Sequence, residues 1–326
     1  MSVVQARHTV ILACDPGEHL RPLTSKETPT ALLTLGDRRT LLGRSIARLG
    51  DCIATENIWA IVRTENRARV GEELDRAIHV LSPSGEEGNA NAVSAALAKI
   101  EASDGGDATV LLHPATHVIS DETRYRASIL ACLDEVERSG KGIALAIGES
   151  ERTLTGIQIW PVSVLRERLC SVVPSGETSL RDWLTSLGAS LATVSLGKVG
   201  WMDIDSWDSV RALLEYVEKP WGHERLWALN EHYAGKVLFI RASESLSLQY
   251  HETKDETIRI ASGRMRFRVG AAAEDLESLM LEPGMSYHIP PRCVHQMEAV
   301  EDCTVIEVST PHLVDVVRIE DRYGRA

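Results

Sequence analysis

The chain has 326 residues, of which 44% are hydrophobic and 25% are charged, so it is long enough for two globular domains with ordinary cores. Its formal net charge of −12 argues against nucleic acid as a partner, because phosphate contacts need clustered lysine and arginine. The start of the chain, Met1–His8, has no signal-peptide pattern, and no apolar stretch approaches membrane-spanning length. We therefore expect neither nucleic acid nor a membrane as a partner.

Scattered cysteines indicate the compartment. None of them shows CxxC spacing, and free thiols of this kind are typical of a reducing cytoplasm. The six are Cys14, Cys52, Cys132, Cys170, Cys293 and Cys303. The expected location is therefore cytoplasmic.

The segment 8–215 alternates short apolar runs with helical patterns. In chain order, these are strand Thr9–Ala13, helix Leu41–Leu49, strand Ile58–Val62, helix Asn89–Ile100, strand Ala108–Leu112, helix Glu122–Arg138, strand Gly142–Ile147, strand Thr155–Trp160, helix Val162–Leu169 and strand Leu191–Leu196. Such alternation predicts an α/β layer fold with a mainly parallel sheet.

The loop after the first strand, Cys14–His19, is where this fold predicts a nucleotide. Ligands of such sheets bind beyond the carboxyl ends of the strands. Cys14 and Gly17 in the loop, and Arg21 just after it, are therefore the candidate nucleotide-binding residues.

The last third of the chain has a different pattern, in which histidines and a glutamate flank turn signals. Residues 246–252 alternate, so Gln249 and His251 share one face of a predicted strand. Glu256 begins the next strand after a polar turn. His295 follows a rigid Pro-Pro pair. A small β-barrel could bring these side chains together.

We predict that His251, Glu256 and His295 hold one divalent metal ion. Imidazole and carboxylate suit Zn, Fe, Mn, Ni or Co, and the residue types leave that choice open. Three protein ligands, with Gln249 as a weak fourth, leave positions for water or substrate. That pattern is typical of catalytic rather than structural metal sites.

Residues 217–325 resemble the cupin domain of type II phosphomannose isomerases, usually the C-terminal half of bifunctional mannose-1-phosphate guanylyltransferase/mannose-6-phosphate isomerases. The matching pieces are Val217–Gly222, Leu246–Gln249 with His251, Gly263, Ile289–Pro290 with His295, Ile306–Val308 and Val317–Arg325. The resemblance implies a jelly-roll β-barrel and isomerisation of mannose 6-phosphate and fructose 6-phosphate. This chain departs from the bifunctional members at Thr253, where they carry a second histidine, and at Lys254, where they carry arginine.

Such an isomerisation moves a proton between C1 and C2, and it needs a base and a cation for the phosphate. Glu307, on the predicted strand Thr304–Ser309, is the expected base, because burial would raise its pKa towards neutrality. Lys254, Arg292 and Arg318 are the candidate phosphate ligands, since arginine forks match phosphate oxygens. For each of these cations, an ordinary surface salt bridge is the alternative.

The first part of the chain resembles the sugar-phosphate nucleotidyltransferases, in their guanylyltransferase branch. The matching pieces are Ile11–Ala13, Leu20–Leu23, Pro29, Leu41–Leu42, Arg48–Leu49, Asn89–Ala98, His113–Ile119, Thr155–Ile157 and Gly200–Trp207. The resemblance implies a Rossmann-like nucleotidyltransferase-type fold.

Departures from that family fall on its chemistry. Its loop of glycines with an arginine is here Cys14–His19, whose acidic residues would repel a triphosphate. Its lysine is Thr30, and its Mg²⁺-binding aspartate is Thr116, a weaker ligand for a hard cation. Asp203 and Asp205 could still hold a metal, although capping of the next helix is the alternative. We predict a degenerate domain that does not transfer nucleotides at a useful rate.

The predicted arrangement is an α/β, Rossmann-like nucleotidyltransferase-type domain at 1–215, followed by a C-terminal cupin β-barrel (jelly roll) at 216–326. The leading function is a metal-dependent phosphosugar isomerase of the GDP-mannose pathway, supplying polysaccharide biosynthesis. Retained guanylyltransferase activity and a non-catalytic sugar-nucleotide-binding or regulatory role are the alternatives. The expected partners are a sugar phosphate and, under the alternatives, a sugar nucleotide. Cupins often pair through sheet edges, which favours a homodimer.

Overall fold

A computed structural model provides the structure of the chain, and two compact units make up the fold. The structure describes residues 6–36, 38–83, 88–147, 153–171, 186 and 191–325. One unit comprises Met1–Gly17, Lys26–Leu33 and Arg39–Ile204, and the other comprises Glu18–Ser25, Thr34–Arg38 and Asp205–Ala326. The domain boundary between residues 215 and 216 stays a prediction, because this division by contacts falls after Ile204.

Nine strands form the sheets of the first unit within the described residues. They are β1 (Arg7–Ala13), β2 (Ile58–Val62), β3 (His79–Leu81), β4 (Thr109–Pro114), β5 (His117–Ile119), β6 (Ile143–Ile147), β7 (Thr153–Pro161), β8 (Ala192–Ser195) and β9 (Trp201–Asp203). Seven of them make one sheet in the order β3-β2-β1-β4-β7-β6-β8, and β5 pairs with β9. Only β7 runs antiparallel to its neighbours β4 and β6 in the large sheet. The predicted, mainly parallel α/β sheet is confirmed.

Helices pack beside this sheet at the predicted positions, with one addition. They are α1 (Leu41–Leu49), α2 (Arg67–Glu73), α3 (Gly88–Asp104), α4 (Glu122–Ser139) and α5 (Val162–Ser171). The sequence patterns did not indicate α2. Helix α1 begins where the Thr40 hydroxyl accepts a hydrogen bond from the Gly43 N–H at 3.0 Å, which satisfies a free amide of the first turn. No helix among the described residues is long and apolar enough to cross a membrane.

The central strands of the first unit are apolar along their whole length because both faces of the sheet are covered. Successive side chains of a strand point to opposite faces. Ile11 and Ala13 of β1 therefore pack in one core, while Val10 and Leu12 pack in the other. This continuous burial is typical of parallel sheets with helices on both faces.

The second unit contains helix α6 (Trp207–Leu214) and two antiparallel sheets. Its strands are β10 (Val217–Lys219), β11 (Gly222–Leu229), β12 (Ala234–Ile240), β13 (Leu248–Tyr250), β14 (Glu256–Ser262), β15 (Met265–Gly270), β16 (Leu276–Leu281), β17 (Ser286–Ile289), β18 (Val294–Ala299), β19 (Cys303–Ser309) and β20 (Val317–Glu320). One sheet has the order β10-β11-β12-β19-β14-β17, and the other has the order β16-β15-β18-β13-β20. These facing sheets form the predicted C-terminal jelly roll.

The core of the second unit lies between its two sheets. Ile258 and Val305 come from the first of them, and Phe267 and Met297 come from the second. Buried and more exposed residues alternate along β14, as expected of a strand with one covered face. This alternation also decides which polar side chains enter the interior, and Glu256 at the start of β14 is one of them.

Candidate metal centre

Two histidines of the second unit are fixed by hydrogen bonds to backbone carbonyls. The Nδ1 of His251 contacts the carbonyl of Asp315, and the Nδ1 of His295 lies 3.0 Å from the carbonyl of Cys293. Because a carbonyl can only accept, each Nδ1 must carry the proton. Each Nε2 therefore presents a lone pair, as a metal-binding imidazole requires.

Both lone pairs face one carboxylate oxygen. Oε1 of Glu256 lies 3.8 Å from Nε2 of His251 and 3.4 Å from Nε2 of His295. The three residues are buried, and their ligand atoms all lie within 4.8 Å of one another. The structure thus brings together the three residues that the sequence predicted as metal ligands.

The chemistry of this donor set fits a divalent ion. Neither Nε2 atom has a hydrogen-bond partner among the described residues, although both atoms are buried. Buried polar atoms of this kind usually find a partner, and two imidazoles with a carboxylate are a common ligand set for Zn, Fe, Mn, Ni or Co. Burial lowers the pKa of both histidines, which keeps their imidazoles neutral and able to coordinate.

Lys254 and Glu307 lie beside the three ligands in an arrangement that corrects one prediction. The Lys254 ammonium is buried, contacts Oε2 of Glu256 and lies 2.7 Å from Oε1 of Glu307. Burial raises the pKa of Glu307, but the cations of Lys254 and Lys236 outweigh it, so the pKa lies below its usual range. The expected raised pKa of Glu307 is therefore wrong, because a buried lysine compensates its charge.

A cavity of about 130 Å³ opens beside these groups. His251, Glu256, Lys254 and Glu307 line it. Further polar residues of its wall are Lys219, Glu224, Lys236, Ser247, Gln249, Arg318 and Arg325. Gln249, the predicted fourth ligand, accepts a hydrogen bond from the Ser247 hydroxyl at 2.7 Å, and its ligand role stays a prediction.

The predicted phosphate ligands lie in different places. Arg318 on β20 is exposed but lines the cavity, and its guanidinium forms no hydrogen bond or ion pair with the described residues. Arg325, which sequence reasoning did not single out, lines the same wall and is held by Asp321. Arg292 is exposed, pairs with Glu252 at 3.0 Å and does not line the cavity. Lys254 is an internal cation, as described above.

Asp315 is the functional residue that sequence reasoning missed. Besides its carbonyl contact with His251, its carboxylate accepts backbone hydrogen bonds from Glu252, Thr253 and Lys254 at 2.7–3.1 Å. It therefore fixes the turn that separates two of the ligands. No local pattern indicates this role, because the partners lie more than sixty positions apart in the sequence. Burial raises the pKa of the Asp315 carboxyl, but the hydrogen bonds from the three amides outweigh that effect, so the pKa lies below its usual value.

The candidate nucleotide-binding residues in and after the Cys14–His19 loop each have a partner within the chain. The Cys14 thiol points to the Ile61 carbonyl at 3.3 Å, and burial raises its pKa to about 12. The Gly17 N–H donates to the Asp15 carboxylate at 2.9 Å. Arg21 pairs with Glu18 at 3.2 Å. The nucleotide-binding role of Cys14, Gly17 and Arg21 stays a prediction.

Thr116, at the position where the sequence resemblance implies an aspartate, contacts Asp203. Its hydroxyl donates to the Asp203 carboxylate at 2.6 Å. Asp205 does not cap the following helix; Ser206 does, by accepting a hydrogen bond from Ser209 N–H at 3.2 Å. Asp203 thus lies near the Thr116 hydroxyl and, at 3.9 Å, Nε2 of His117, and neither of these groups is a preferred ligand of a hard cation.

Comparison with known proteins agrees with both halves of this description. Residues 8–156 match the family model described as nucleotidyl transferase, and residues 208–321 match mannose-6-phosphate isomerase C-terminal. The chain is 31% identical over 114 residues, 33% of its length, to mannose-1-phosphate guanylyltransferase ManC of Salmonella typhimurium. That match spans 23% of the relative, so this chain covers about a quarter of it.

Two solved structures share the fold of the first part of the chain. One is a mannose-1-phosphate geranyltransferase from Thermus thermophilus, with a TM-score of 0.51 and 18% identity over 67% of this chain and 81% of that one. The other is a Bacillus anthracis protein assigned as a glucose-1-phosphate thymidylyltransferase, with the same TM-score and identity over 64% of this chain and 94% of that one. At this identity the likeness shows the nucleotidyltransferase-like fold alone.

Fold, site and matches together define a two-domain protein in which an α/β unit precedes a β-rich unit with a candidate metal centre. The predicted family is confirmed. The chain joins a region that matches the nucleotidyl transferase family, residues 8–156, to a region that matches the mannose-6-phosphate isomerase C-terminal family, residues 208–321.

Proposed function

We propose that the second unit is a metal-dependent phosphosugar isomerase that interconverts mannose 6-phosphate and fructose 6-phosphate. The observation that carries the proposal is that the buried Nε2 atoms of His251 and His295 face one oxygen of Glu256 and have no hydrogen-bond partner among the described residues. They lie beside a polar cavity, and residues 208–321 match a family model described by this isomerase.

His251, Glu256 and His295 would hold the metal ion, with Gln249 as the candidate fourth ligand. A divalent ion in this place supplies Lewis acidity towards the carbonyl and hydroxyl oxygens of the sugar. The remaining tasks belong to the chain itself: binding the phosphate, moving the proton and keeping the ligands in place.

Arg318 is the residue that we assign to the phosphate group. It is a cation in the cavity wall without an ion-pair partner among the described residues, whereas Arg325 is already held by Asp321. A guanidinium can offer two parallel N–H groups to phosphate oxygens, so Arg318 can bind and orient the substrate. Partial burial, and then the neighbouring Arg325, lower the pKa of Arg318, and a bound anion would act in the opposite direction.

Glu307 is the residue that we assign to proton transfer. Its carboxylate lies in the cavity wall and stays ionised near neutral pH, because its pKa is lowered by the Lys254 and Lys236 cations although burial raises it. It would accept the proton from C2 of the aldose, which leaves an enediol, and return it to C1, while the hydroxyl proton of O2 passes to O1. A carboxylate with a lowered pKa is a weaker base than one near neutrality. The Lys254 ammonium donates one N–H to each of the two carboxylates, and its third N–H can donate to a sugar oxygen.

The test is turnover of mannose 6-phosphate by protein of known metal content. We expect activity that His251→Ala abolishes together with bound metal, and that His288→Ala leaves intact. His288 is the matched control because it lies on β17 with its side chain 59% exposed, paired with Asp255 outside the cavity. Absence of turnover with Zn, Fe, Mn, Ni and Co in turn would contradict the proposal.

For the first unit, we propose that it does not transfer nucleotides at a useful rate. The support is the Thr116–Asp203 contact in place of two carboxylates, and the Asp15 carboxylate on the Gly17 N–H, where a phosphate oxygen would otherwise bind. The measurement is GDP-mannose formation from GTP and mannose 1-phosphate with Mg²⁺. Robust product formation would overturn this part. Binding of GDP-mannose without turnover would instead favour a regulatory role.

A further inference from the structure

Lys254 is a buried cation between two buried carboxylates of different strands. Its side chain is 6% exposed, and those of Glu256 and Glu307 are 1% and 6% exposed. The ammonium donates to Oε2 of Glu256 and, at 2.7 Å, to Oε1 of Glu307. A lysine in a polar turn is usually solvated, so its burial here calls for a specific reason.

The backbone explains why the two carboxylates come together. In the pairing of β14 with β19, Ile258 lies opposite Glu307, and Glu256 lies two positions before Ile258 on the same face of its strand. Both acids therefore enter the interior as diagonal neighbours. Two carboxylates this close repel each other unless a cation lies between them.

The position of Lys254 is also fixed at its backbone. Its N–H donates to the Asp315 carboxylate at 2.8 Å, which holds the turn before β14. With the backbone fixed, the ammonium reaches Glu256 and Glu307 from one side. The two oxygens of Glu256 are then distinct, because Oε2 contacts Lys254 while Oε1 faces the imidazoles of His251 and His295.

We infer that Lys254 is a positioning residue, which makes Glu256 bind the metal ion through only one of its two carboxylate oxygens. The inference rests on the proposed metal site. Lys254 occupies Oε2, so Oε1 alone can coordinate beside the two Nε2 atoms, and more of the coordination sphere stays open for the substrate oxygens. The positive charge of Lys254 also opposes that of a divalent ion, which tempers its affinity.

Removing the lysine has two expected consequences. Both oxygens of Glu256 become available, so the coordination number of a bound ion rises. A repelling charge also disappears, so the affinity for a divalent ion rises by about tenfold or more. Co²⁺ reports both effects, because its visible absorption weakens as its coordination number rises and its titration gives the affinity.

The experiment compares Co²⁺ titrations of the full-length protein and its variants, followed by visible absorption. Glu307→Gln is the matched control, since it keeps the contact between Lys254 and Glu256 and should retain the wild-type spectrum. Lys254→Met should give weaker absorption at saturation with tighter binding, and Lys254→Arg, which keeps a cation, should restore the wild-type spectrum. The double variant Lys254→Met/Glu307→Gln should match Lys254→Met. In the double variant, Glu256 is the only one of the two carboxylates that remains without the Lys254 cation. The double variant can therefore replace Lys254→Met in the comparison if Lys254→Met does not fold.

The outcomes separate this inference from the proposed function. If the wild-type protein binds no Co²⁺, or if His251→Ala binds it as well as the wild type does, the metal site itself fails. If His251→Ala loses Co²⁺ binding, the metal site is supported. If the double variant then has the same spectrum as Glu307→Gln, the role of Lys254 is contradicted, whatever the affinity of the double variant for Co²⁺.

Discussion

The ring of His251 is held by the backbone carbonyl of Asp315, a residue 64 positions later in the chain. The same residue uses its carboxylate to bind the amides of the turn that follows His251. One residue of the C-terminal segment therefore fixes both the protonation of a candidate ligand and the path of the chain to Glu256. Residues that orient metal ligands in this way affect metal affinity without touching the metal.

Asp315→Ala should weaken metal binding by about 10- to 100-fold, as is typical of partners that orient metal ligands. The three backbone amides of the turn lose their acceptor, so the turn becomes more mobile. His251 and Glu256, which flank the turn, are then held less firmly. The measurement is the dissociation constant for Co²⁺. Asp302→Ala is the control, because Asp302 also accepts a backbone hydrogen bond, from Ala242 at 2.8 Å, but does not line the cavity. An equal loss in both variants would point to general destabilisation instead.

Arg318→Gln should raise the KM for mannose 6-phosphate by about 10- to 100-fold, with a smaller change in kcat. Hydrogen bonds to charged groups contribute about 1.5–3 kcal/mol, and about 1.4 kcal/mol corresponds to a factor of ten. Arg322→Gln is the matched control in the same segment, since Arg322 donates to the Ser243 carbonyl and does not line the cavity. Steady-state kinetics together with inhibition by inorganic phosphate would test the assignment. An unchanged phosphate inhibition constant in Arg318→Gln would contradict it.

The three candidate ligands could be predicted from the sequence because their signals are local. Alternation of residues and a polar turn predict a strand before His251 and another that begins at Glu256, and the structure has β13 and β14 at these places, one in each sheet. The entry of Glu307 into the interior also follows from alternation. The direction of the pKa shift of Glu307 does not follow from alternation, because it depends on Lys254. The sequence of the turn that contains Lys254 is typical of a solvated surface. Burial of a long side chain is decided by the tertiary structure alone.

Other features of the fold depend on pairing that no local pattern contains. The antiparallel direction of β7 follows from its hydrogen bonds with β4 and β6, whereas its apolar sequence is compatible with either direction. Similarly, Arg292 and Arg318 carry the same charge and lie in similar polar surroundings. Only the pairing of β13 with β20 brings Arg318 to the cavity wall.

A buried histidine of the first unit should make that unit sensitive to acid. His113 is fully buried, and burial, followed by the charges of His117 and Arg48, lowers its pKa well below that of an exposed histidine. As the pH falls, the unfolded chain therefore binds the proton first. The free energy of unfolding should be unaffected above about pH 6.5 and should decrease below it, by up to about 1.4 kcal/mol per pH unit.

The variant His113→Leu removes this proton and should reduce the dependence of stability on pH between about 5 and 6.5, whereas the buried His8, whose pKa burial also lowers, keeps part of it. Urea denaturation at a series of pH values gives the slope for the wild type and the variant. His232→Gln is the control, because the side chain of His232 is 79% exposed in the folded protein. If His113→Leu and the wild type had the same slope, the assigned origin of the acid sensitivity would be wrong.

Gly263 should be sensitive to substitution, for steric and conformational reasons together. Its φ of +76° disfavours any side chain, and an added Cβ would lie 2.2 Å from the Asp302 carbonyl oxygen and 2.8 Å from Cα of Cys303. Gly324 has a similar φ of +69°, but an added Cβ would meet no atom within 4 Å. The pair therefore separates the cost of the backbone conformation from the cost of the clash.

Gly324→Ala should cost about 1–2 kcal/mol, the usual cost of the left-handed conformation. Gly263→Ala should cost about 1–3 kcal/mol more, since the neighbouring backbone of β19 cannot move away without disturbing its pairing with β14. Hydrogen exchange of the β14 and β19 amides measures this cost locally, without assuming that both units unfold together.

Because β14 begins with Glu256 and β19 carries Glu307, the same strain should also weaken Co²⁺ binding in Gly263→Ala and leave it unchanged in Gly324→Ala. Equal effects of the two substitutions on exchange would show that the contact with Asp302 relaxes freely.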